Sequence, residues 1–154
     1  PLAIDLNEVP WVSPGGGNGF PVGVRTARQG VNPNTGGVTY YALFPAGSHF
    51  DLHWHSHDEY VVVVAGELSI QLGEQTHSLS VGTYVVIPGE LPHSWTVPAG
   101  KKDAVILVRR AGPADFHFVD YPLLAVMFLP AGLQYFANHH GFTANGWPCC
   151  TDNW

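Results

Sequence analysis

The sequence predicts an all-β fold, a single barrel or sandwich of antiparallel strands. Its 154 residues fit one domain of ordinary size. Between residues 38 and 109, eight short runs rich in β-branched and aromatic residues follow one another, which is a composition typical of strands. Proline and glycine turns such as Pro45-Ala46-Gly47 and Pro98-Ala99-Gly100 separate these runs. So many short strands in about 70 residues favour an antiparallel barrel or sandwich.

The chain divides into three segments. Residues 1–37 are dense in proline and glycine, so we expect an extended, turn-rich N-terminal arm. Residues 38–112 form the barrel core, with strands predicted at 38–44, 50–55, 60–64, 67–72, 76–79, 84–87, 93–97 and 104–109. Residues 113–154 form a C-terminal extension that completes or caps the barrel, and residues 133–140 in it are the candidate for a short helix.

Charge and hydropathy exclude several partners. Asp and Glu number 12 against 6 Lys and Arg, for a formal net charge of -6, and no basic run could neutralise phosphates, so nucleic acid is not expected as a partner. The longest apolar run, 123–133, is about half of the roughly 20 residues that span a bilayer, so no membrane span is expected. No targeting pattern is visible, and Cys149 and Cys150 are adjacent. A reducing, cytoplasmic location is therefore expected.

Basic residues are absent from one long stretch, since residues 29–100 contain no Lys or Arg. A site built there would lack a permanent cation apart from a metal or a protonated histidine, which weakens interpretations that need charged donors for phosphate. We therefore expect planar, neutral or enolisable ligands and no binding of phosphorylated sugars. Arg25, Arg28, Arg109 and Arg110 would alter this expectation if the arm or the last strand brought one of them inward.

Histidine placement indicates a metal site. His53 and His55 are two residues apart in a predicted strand, so both imidazoles point to the same face. Glu59 opens the next strand, and His93 begins a later one after a proline-rich turn. Three imidazoles and one carboxylate suit Fe(II), Mn(II), Ni(II), Cu(II) or Zn(II). We predict one divalent metal ion per subunit on these four residues; the alternative is a barrel in which they are buried and hydrogen-bonded without a metal.

The spacing of these residues resembles the two motifs of the cupin superfamily. The first motif has every fixed position filled, by Gly47, His53-Trp54-His55, Glu59 and Gly66. The second is matched by Gly82, Pro88 and His93, with Glu90 at the usual glycine position and Val97 at the usual asparagine position. The resemblance implies a small jelly-roll β-barrel, usually dimeric, that holds a divalent metal through His53, His55, Glu59 and His93.

The C-terminal extension carries a second resemblance. Residues 130–136, 141–142 and 146–148 look like the aromatic-rich segment that caps the barrel in quercetinase-like (quercetin dioxygenase-like) cupins, with departures at Ala131, Leu133 and Gln134. This resemblance implies a metal-dependent oxidation of an aromatic or enol-bearing small molecule.

Other residues are candidates for proton transfer and for the substrate pocket. Glu59 is a candidate general base as well as a ligand. Asp51 is the second catalytic candidate, because it lies two residues before His53 and should point to the same face of the strand. His49 points to that face as well if the strand reaches it, whereas His57 is interpreted as a hydrogen-bonding loop residue. Aromatic residues from 116 to 136 are expected to form a lid over the barrel mouth, with a dimer interface or an ordinary extension of the core as the alternatives. The candidate pocket residues, for which core packing is the alternative, are Val61, Val63, Trp95, Phe128 and Phe136.

The leading functional interpretation is a metal-dependent dioxygenase with Fe(II) as the favoured metal, which uses O₂ to cleave an aromatic, polyphenolic or polyketide-like enolisable molecule. One alternative is a non-redox isomerase, cyclase, lyase or decarboxylase that uses the metal as a Lewis acid. Another is a cupin that binds a small molecule without catalysis. A homodimer is expected because the arm carries apolar groups that a small barrel alone need not bury, at Ile4, Leu6, Val9 and Trp11.

Overall fold

The computed structural model describes residues 3–13 and 19–119, and within these residues the regular structure consists of ten β-strands without a helix. The strands are β1 Arg25–Val31, β2 Val38–Phe44, β3 His49–Trp54, β4 Glu59–Ala65, β5 Glu67–Leu72, β6 Gln75–Ser80, β7 Tyr84–Ile87, β8 His93–Thr96, β9 Ala104–Arg110 and β10 His117–Phe118. Among the same residues, no helix has the length and apolar character needed to cross a membrane.

Two five-stranded antiparallel sheets share one hydrophobic core. The strand order is β1-β2-β9-β4-β7 in the first sheet and β10-β3-β8-β5-β6 in the second. Of the strands that are consecutive in the chain, β1 pairs with β2 and β5 pairs with β6, and the other pairs join more distant strands. β5 and β6 are joined by Gly73-Glu74, with Leu72 opposite Gln75 and a positive φ at Gly73. The predicted all-β jelly-roll fold is therefore confirmed.

The core is built by alternation along the strands. On β4, Val61 and Val63 are buried, whereas Tyr60 and Val62 point to the other face and are partly exposed. Residues of the second sheet, including Ile70, pack in the same cluster, and burial of this apolar surface is the main favourable contribution to folding. Because Glu59 shares the parity of Val61, the same alternation carries its carboxylate into the core.

The eight predicted strands agree with the structure to within one residue at each end. Two further strands, β1 and β10, were not predicted. The predicted arm, residues 1–37, contains one of them, because Arg25–Val31 pairs with β2 and forms part of the first sheet. Ala27 is fully buried there, but the polar residues and the glycine around it hide the strand pattern. Val12 pairs with Thr26 on the free edge of β1.

Several predictions concern residues outside the described part of the chain. The short helix at 133–140 and the pocket candidates Phe128 and Phe136 lie in residues 120–154, which the structure does not describe. They remain predictions.

Candidate metal centre

Strands from both sheets bring the predicted ligands together. His53 on β3 is the Cα partner of His93 on β8, and His55 follows at the end of β3. The three imidazoles are buried, and one ring nitrogen from each lies within 4.8 Å of the others. Glu59 reaches the same point from the first sheet, since its Oε2 is 3.1 Å from His55 Nε2 and 3.7 Å from His93 Nε2.

A β-bulge in β3 changes which side chains face this point. Opposite β8, Phe50 pairs with Trp95 and His53 pairs with His93, and the register shifts between these two pairs. Both Phe50 and His53 are therefore buried although they are three residues apart. The side chain of Asp51, in contrast, is 64% exposed. The expectation that Asp51 faces the cavity is wrong, because strict alternation does not hold across the bulge.

His49 and His57 also lie away from the three imidazoles. His49 is exposed and contacts Asp51 and Thr96 on the outer side of the sheet. His57 is exposed in the loop between β3 and β4, against Gly112, where a Cβ would overlap its ring. The interpretation of His57 as a loop residue agrees with this placement.

Each imidazole is held by a backbone carbonyl. Nδ1 of His53 lies 2.6 Å from the Asp51 carbonyl oxygen, and Nδ1 of His93 lies 2.9 Å from that of Leu91. Nδ1 of His55 lies 2.5 Å from the carbonyl oxygen of Asp115. A carbonyl only accepts, so each Nδ1 carries the proton and donates it. This leaves Nε2 of all three rings with a free lone pair, which is the form in which imidazole binds a metal.

Burial favours the neutral forms of His53 and His93. It lowers the pKa of His53 to about 3, with the neighbouring His93 adding to the effect. It also lowers the pKa of His93 to about 4, although the Glu59 carboxylate opposes the shift. For Glu59 burial alone would raise the pKa, but the Arg110 guanidinium opposes this effect, and the pKa lies well below its usual range.

The donor atoms fit a divalent metal. Among the described residues, His55 Nε2, His93 Nε2 and Glu59 Oε2 are buried without a hydrogen-bond partner. Unpartnered buried polar atoms are costly, and these three lie close to one another. Imidazole nitrogens with a carboxylate oxygen are ordinary ligands of divalent transition metals. The three buried histidines could therefore bind a metal ion, as the sequence predicts.

Arg110 is a residue of the site that the sequence analysis did not select. It lies opposite Glu59 in the β4–β9 register and is 2% exposed. Its Nη2 is 3.5 Å from Glu59 Oε2 and 3.2 Å from the Tyr40 hydroxyl. The expectation of a site without a permanent cation is therefore wrong. The alternation of side chains along β9 could have shown that Arg110 points inward, because it follows the buried Ile106 and Val108 at two-residue spacing.

Aromatic side chains cover one side of the imidazole cluster. Phe50 stacks on His53 with 4.3 Å between ring centroids, and Phe116 meets His55 edge-on at 4.8 Å. Phe116 also lies under the guanidinium carbon of Arg110, which is 5.2 Å from the ring centroid. Phe20 and Phe118 complete the cluster. Of the predicted pocket residues, Val61, Val63 and Trp95 are fully buried in the core behind it.

The segment after β9 also carries a Ser-His-Asp arrangement. His117 Nε2 lies 3.2 Å from Asp115 Oδ2 and 3.4 Å from Ser56 Oγ. A nucleophile-activating relay needs its acid and its nucleophile on opposite ring nitrogens. Here both contacts use the same nitrogen, while the ring stacks on Trp54 at 3.9 Å. This arrangement therefore orders the segment and does not form a nucleophilic site.

The second motif differs from the usual pattern without losing the turn. Glu90 adopts φ 65°, the left-handed conformation for which glycine is preferred. Its amide donates to the His55 carbonyl oxygen at 2.7 Å, and the Gly89 amide donates to Asp58 Oδ1 at 2.9 Å. The loop before His93 is thereby tied to the loop after His55.

Comparisons with known proteins agree with the fold. The Cupin domain family matches residues 40–109. The cupin-2 domain protein Rru_A2000 from Rhodospirillum rubrum superposes with a TM-score of 0.64 at 17% identity, covering 77% of this chain and 80% of its own. The polyketide cyclase RemF from Streptomyces resistomycificus gives 0.63 at 14%, covering 79% and 87%. The cupin domain of Cnp3 from Schizosaccharomyces pombe gives 0.61 at 12%, covering 72% and 74%. None of the curated proteins matches this sequence.

Proposed function

Because the chain belongs to the cupin superfamily, we propose that it is a metal-dependent enzyme, and within that class a dioxygenase acting on an aromatic, polyphenolic or polyketide-like enolisable molecule. One observation carries the proposal. Three buried imidazoles, each fixed by a carbonyl at Nδ1, turn their free Nε2 atoms toward a single point beside a buried carboxylate. Such a site is prepared for a metal before the metal binds.

His53, His55, Glu59 and His93 would hold one divalent ion per subunit, with Fe(II) as the proposed metal. The ion would supply a Lewis acid that stabilises an enolate or phenolate oxygen and a centre at which O₂ reacts. Iron is proposed over zinc because the proposed reaction uses O₂. The donor set itself suits either metal.

The chain's own residues provide positioning and proton transfer. Arg110 holds Glu59 in its carboxylate form, which is the form that binds a metal and the form that can accept a proton from an enol or phenol, although its low pKa makes it a weak base. Phe50 and Phe116 cover the imidazoles with ring faces and edges, which excludes water on that side and gives a flat substrate dispersion contacts. The buried Val61, Val63 and Trp95 support these rings from the core.

A non-redox reaction is the second candidate. Glu59 is a carboxylate beside the histidines and can remove a proton without O₂, as an isomerase, cyclase, lyase or decarboxylase acting through an enolate requires. RemF, whose fold this chain shares, is itself a polyketide cyclase. At 14% identity the likeness concerns the fold, so it illustrates this alternative without favouring it over oxidation.

Metal analysis followed by oxygen-uptake assays tests the proposal. We expect about one divalent ion per chain after purification without chelators, and O₂ consumption with a flavonol, a catechol or a β-diketone. His93→Ala should abolish both, whereas His77→Ala, which changes an exposed histidine on β6, should leave both unchanged. Substrate turnover without O₂ would favour the non-redox alternative. Metal binding without turnover would favour a binding protein, and absence of metal would overturn the whole proposal.

We also propose a homodimer in which the arm packs on the partner barrel. Among the described residues, the exposed large hydrophobic residues of the arm include Val12 at 58% and Val22 at 86%, and such groups are costly in water when they cluster. Val9, in contrast, is buried within its own chain. Deletion of residues 1–20 should lower the mass measured by light scattering toward that of a monomer or cause aggregation. An unchanged, monodisperse mass would count against the dimer.

A further inference from the structure

Arg110 carries a charge that the metal site must accommodate. Arginine stays protonated in proteins, and the side chain is buried on β9 beside the point where the imidazoles converge. The same carboxylate oxygen, Glu59 Oε2, lies 3.5 Å from Arg110 Nη2 and 3.1 Å from His55 Nε2. The guanidinium is therefore a neighbour of any ion held by the histidines.

The guanidinium has donors that its neighbours do not use. Nη2 donates to the Tyr40 hydroxyl and faces Glu59. In the part of the chain that the structure describes, Nε and Nη1 are buried and have no hydrogen-bond acceptor. A guanidinium presents its donors in a planar fork that matches the two oxygens of a carboxylate or an enolate oxygen with its neighbour. Nε–H and Nη1–H lie on different edges of the guanidinium, and each of these unpaired donors could take an acceptor oxygen from a ligand.

The charge balance of the site points in the same direction. Glu59 and Arg110 are the buried charged residues among 3–13 and 19–119, and their charges cancel. The imidazoles are neutral when they bind a metal. The two positive charges of a divalent ion would then stay uncompensated in a buried site, which is unfavourable unless a bound ligand brings negative charge.

We infer that Arg110 determines ligand specificity at this site and selects a small molecule that is bound as an anion, with a carboxylate or enolate oxygen accepting from Nε–H or Nη1–H while another oxygen reaches the histidine cluster. This inference rests on the proposed metal-dependent function. The absence of Lys and Arg from residues 29–100 suggested a neutral ligand. With Arg110 at the site, we expect an anionic ligand instead. Phe116, whose ring lies against the guanidinium, keeps water from screening the contact on that side.

Two small ligands of nearly the same shape, one charged and one neutral, separate the effect of ligand charge on binding from that of ligand shape. Protein loaded with Co(II) would be titrated with acetate and with acetamide, and binding would be followed in the visible spectrum of the cobalt. The variants are Arg110→Met, which removes the charge, and Arg110→Lys, which keeps the charge and loses the fork. Arg109→Met is the matched control, because Arg109 is the exposed neighbour on β9, stacked on Tyr60, and its loss changes the net charge of the chain equally.

We expect Arg110→Met to weaken acetate about tenfold or more and to change acetamide less than about twofold. Arg110→Lys, in which Glu59 stays paired and the fold is retained, should weaken acetate about threefold or more. Arg109→Met should change neither. Equal acetate affinity in wild type and both Arg110 variants, with Co(II) bound, would overturn this inference alone. Absence of bound Co(II) in the wild type would overturn the proposed function and this inference with it.

Discussion

Glu59 and Arg110 form a buried pair whose energetics can be worked out from the structure. We predict that Glu59→Gln destabilises the metal-free protein strongly, because it leaves the Arg110 charge buried beside neutral groups. The two residues are 3% and 2% exposed, and their closest charged atoms are 3.5 Å apart. At an effective dielectric constant near 20, two unit charges at that distance attract by about 5 kcal/mol. Breaking a buried pair typically costs about 3 to 5 kcal/mol, so a loss of that size is expected.

Unfolding of chelator-treated protein in guanidinium chloride measures this loss of unfolding free energy. The double variant Glu59→Gln/Arg110→Met removes both charges and should recover about 2 kcal/mol or more of unfolding free energy relative to the less stable single variant. Asp51→Asn is the control: it removes a carboxylate that is 64% exposed and should change stability by less than about 0.5 kcal/mol. A Glu59→Gln protein as stable as wild type, or a double variant no better than the single ones, would refute the reasoning.

Three further predictions concern the ligands, their protonation and the second motif. His55→Ala should remove most of the bound metal in elemental analysis, whereas His57→Ala should retain it; full occupancy in the first variant would contradict the assignment of His55. Burial lowers the pKa of His53 to about 3 and of His93 to about 4 from 6.5, so the unfolded chain binds protons that the folded chain does not. Stability of the metal-free protein should therefore fall as the pH decreases from about 6.5 toward 3, by about 3 to 5 kcal/mol for each imidazole at the acid end; a flat profile in denaturant melts would exclude neutral buried imidazoles. Glu90→Gly should raise the unfolding free energy by about 1 kcal/mol because φ is 65° at this position, and a lower value would show that the Glu90 side chain contributes more than its strain costs.

Local patterns in the sequence predicted most of the barrel. Strand alternation placed Val61, Val63 and Glu59 on the inner face, and the two-residue spacing of His53 and His55 placed both imidazoles together, as the structure has them. These predictions succeeded because a residue's face in a regular strand depends only on its position along that strand.

The features that the sequence did not predict depend on the pairing of distant strands or on backbone groups. Neither is visible in a local pattern of side chains. The bulge in β3 exists only in its pairing with β8, so parity counted from His53 misplaced Asp51. The Asp115 carbonyl that holds His55 is a backbone group, and no side chain marks it in the sequence. Arg110 is the exception: it was named as one of four arginines that the arm or the last strand could bring inward, and its two-residue spacing from Val108 would have singled it out.

The three carbonyl contacts of the imidazoles have a consequence for the order of folding. His53 and His93 are each held by a carbonyl two residues earlier in the chain, so their orientation is set as soon as their own strands form. His55 depends on Asp115, 60 residues later and beyond β9, and closing a loop of that length is an entropic cost met only late. A nascent chain that has emerged as far as β9 therefore already contains all three imidazoles of the site but cannot yet orient His55. The full set of three oriented imidazoles therefore forms only after the chain has passed the last long strand of the barrel.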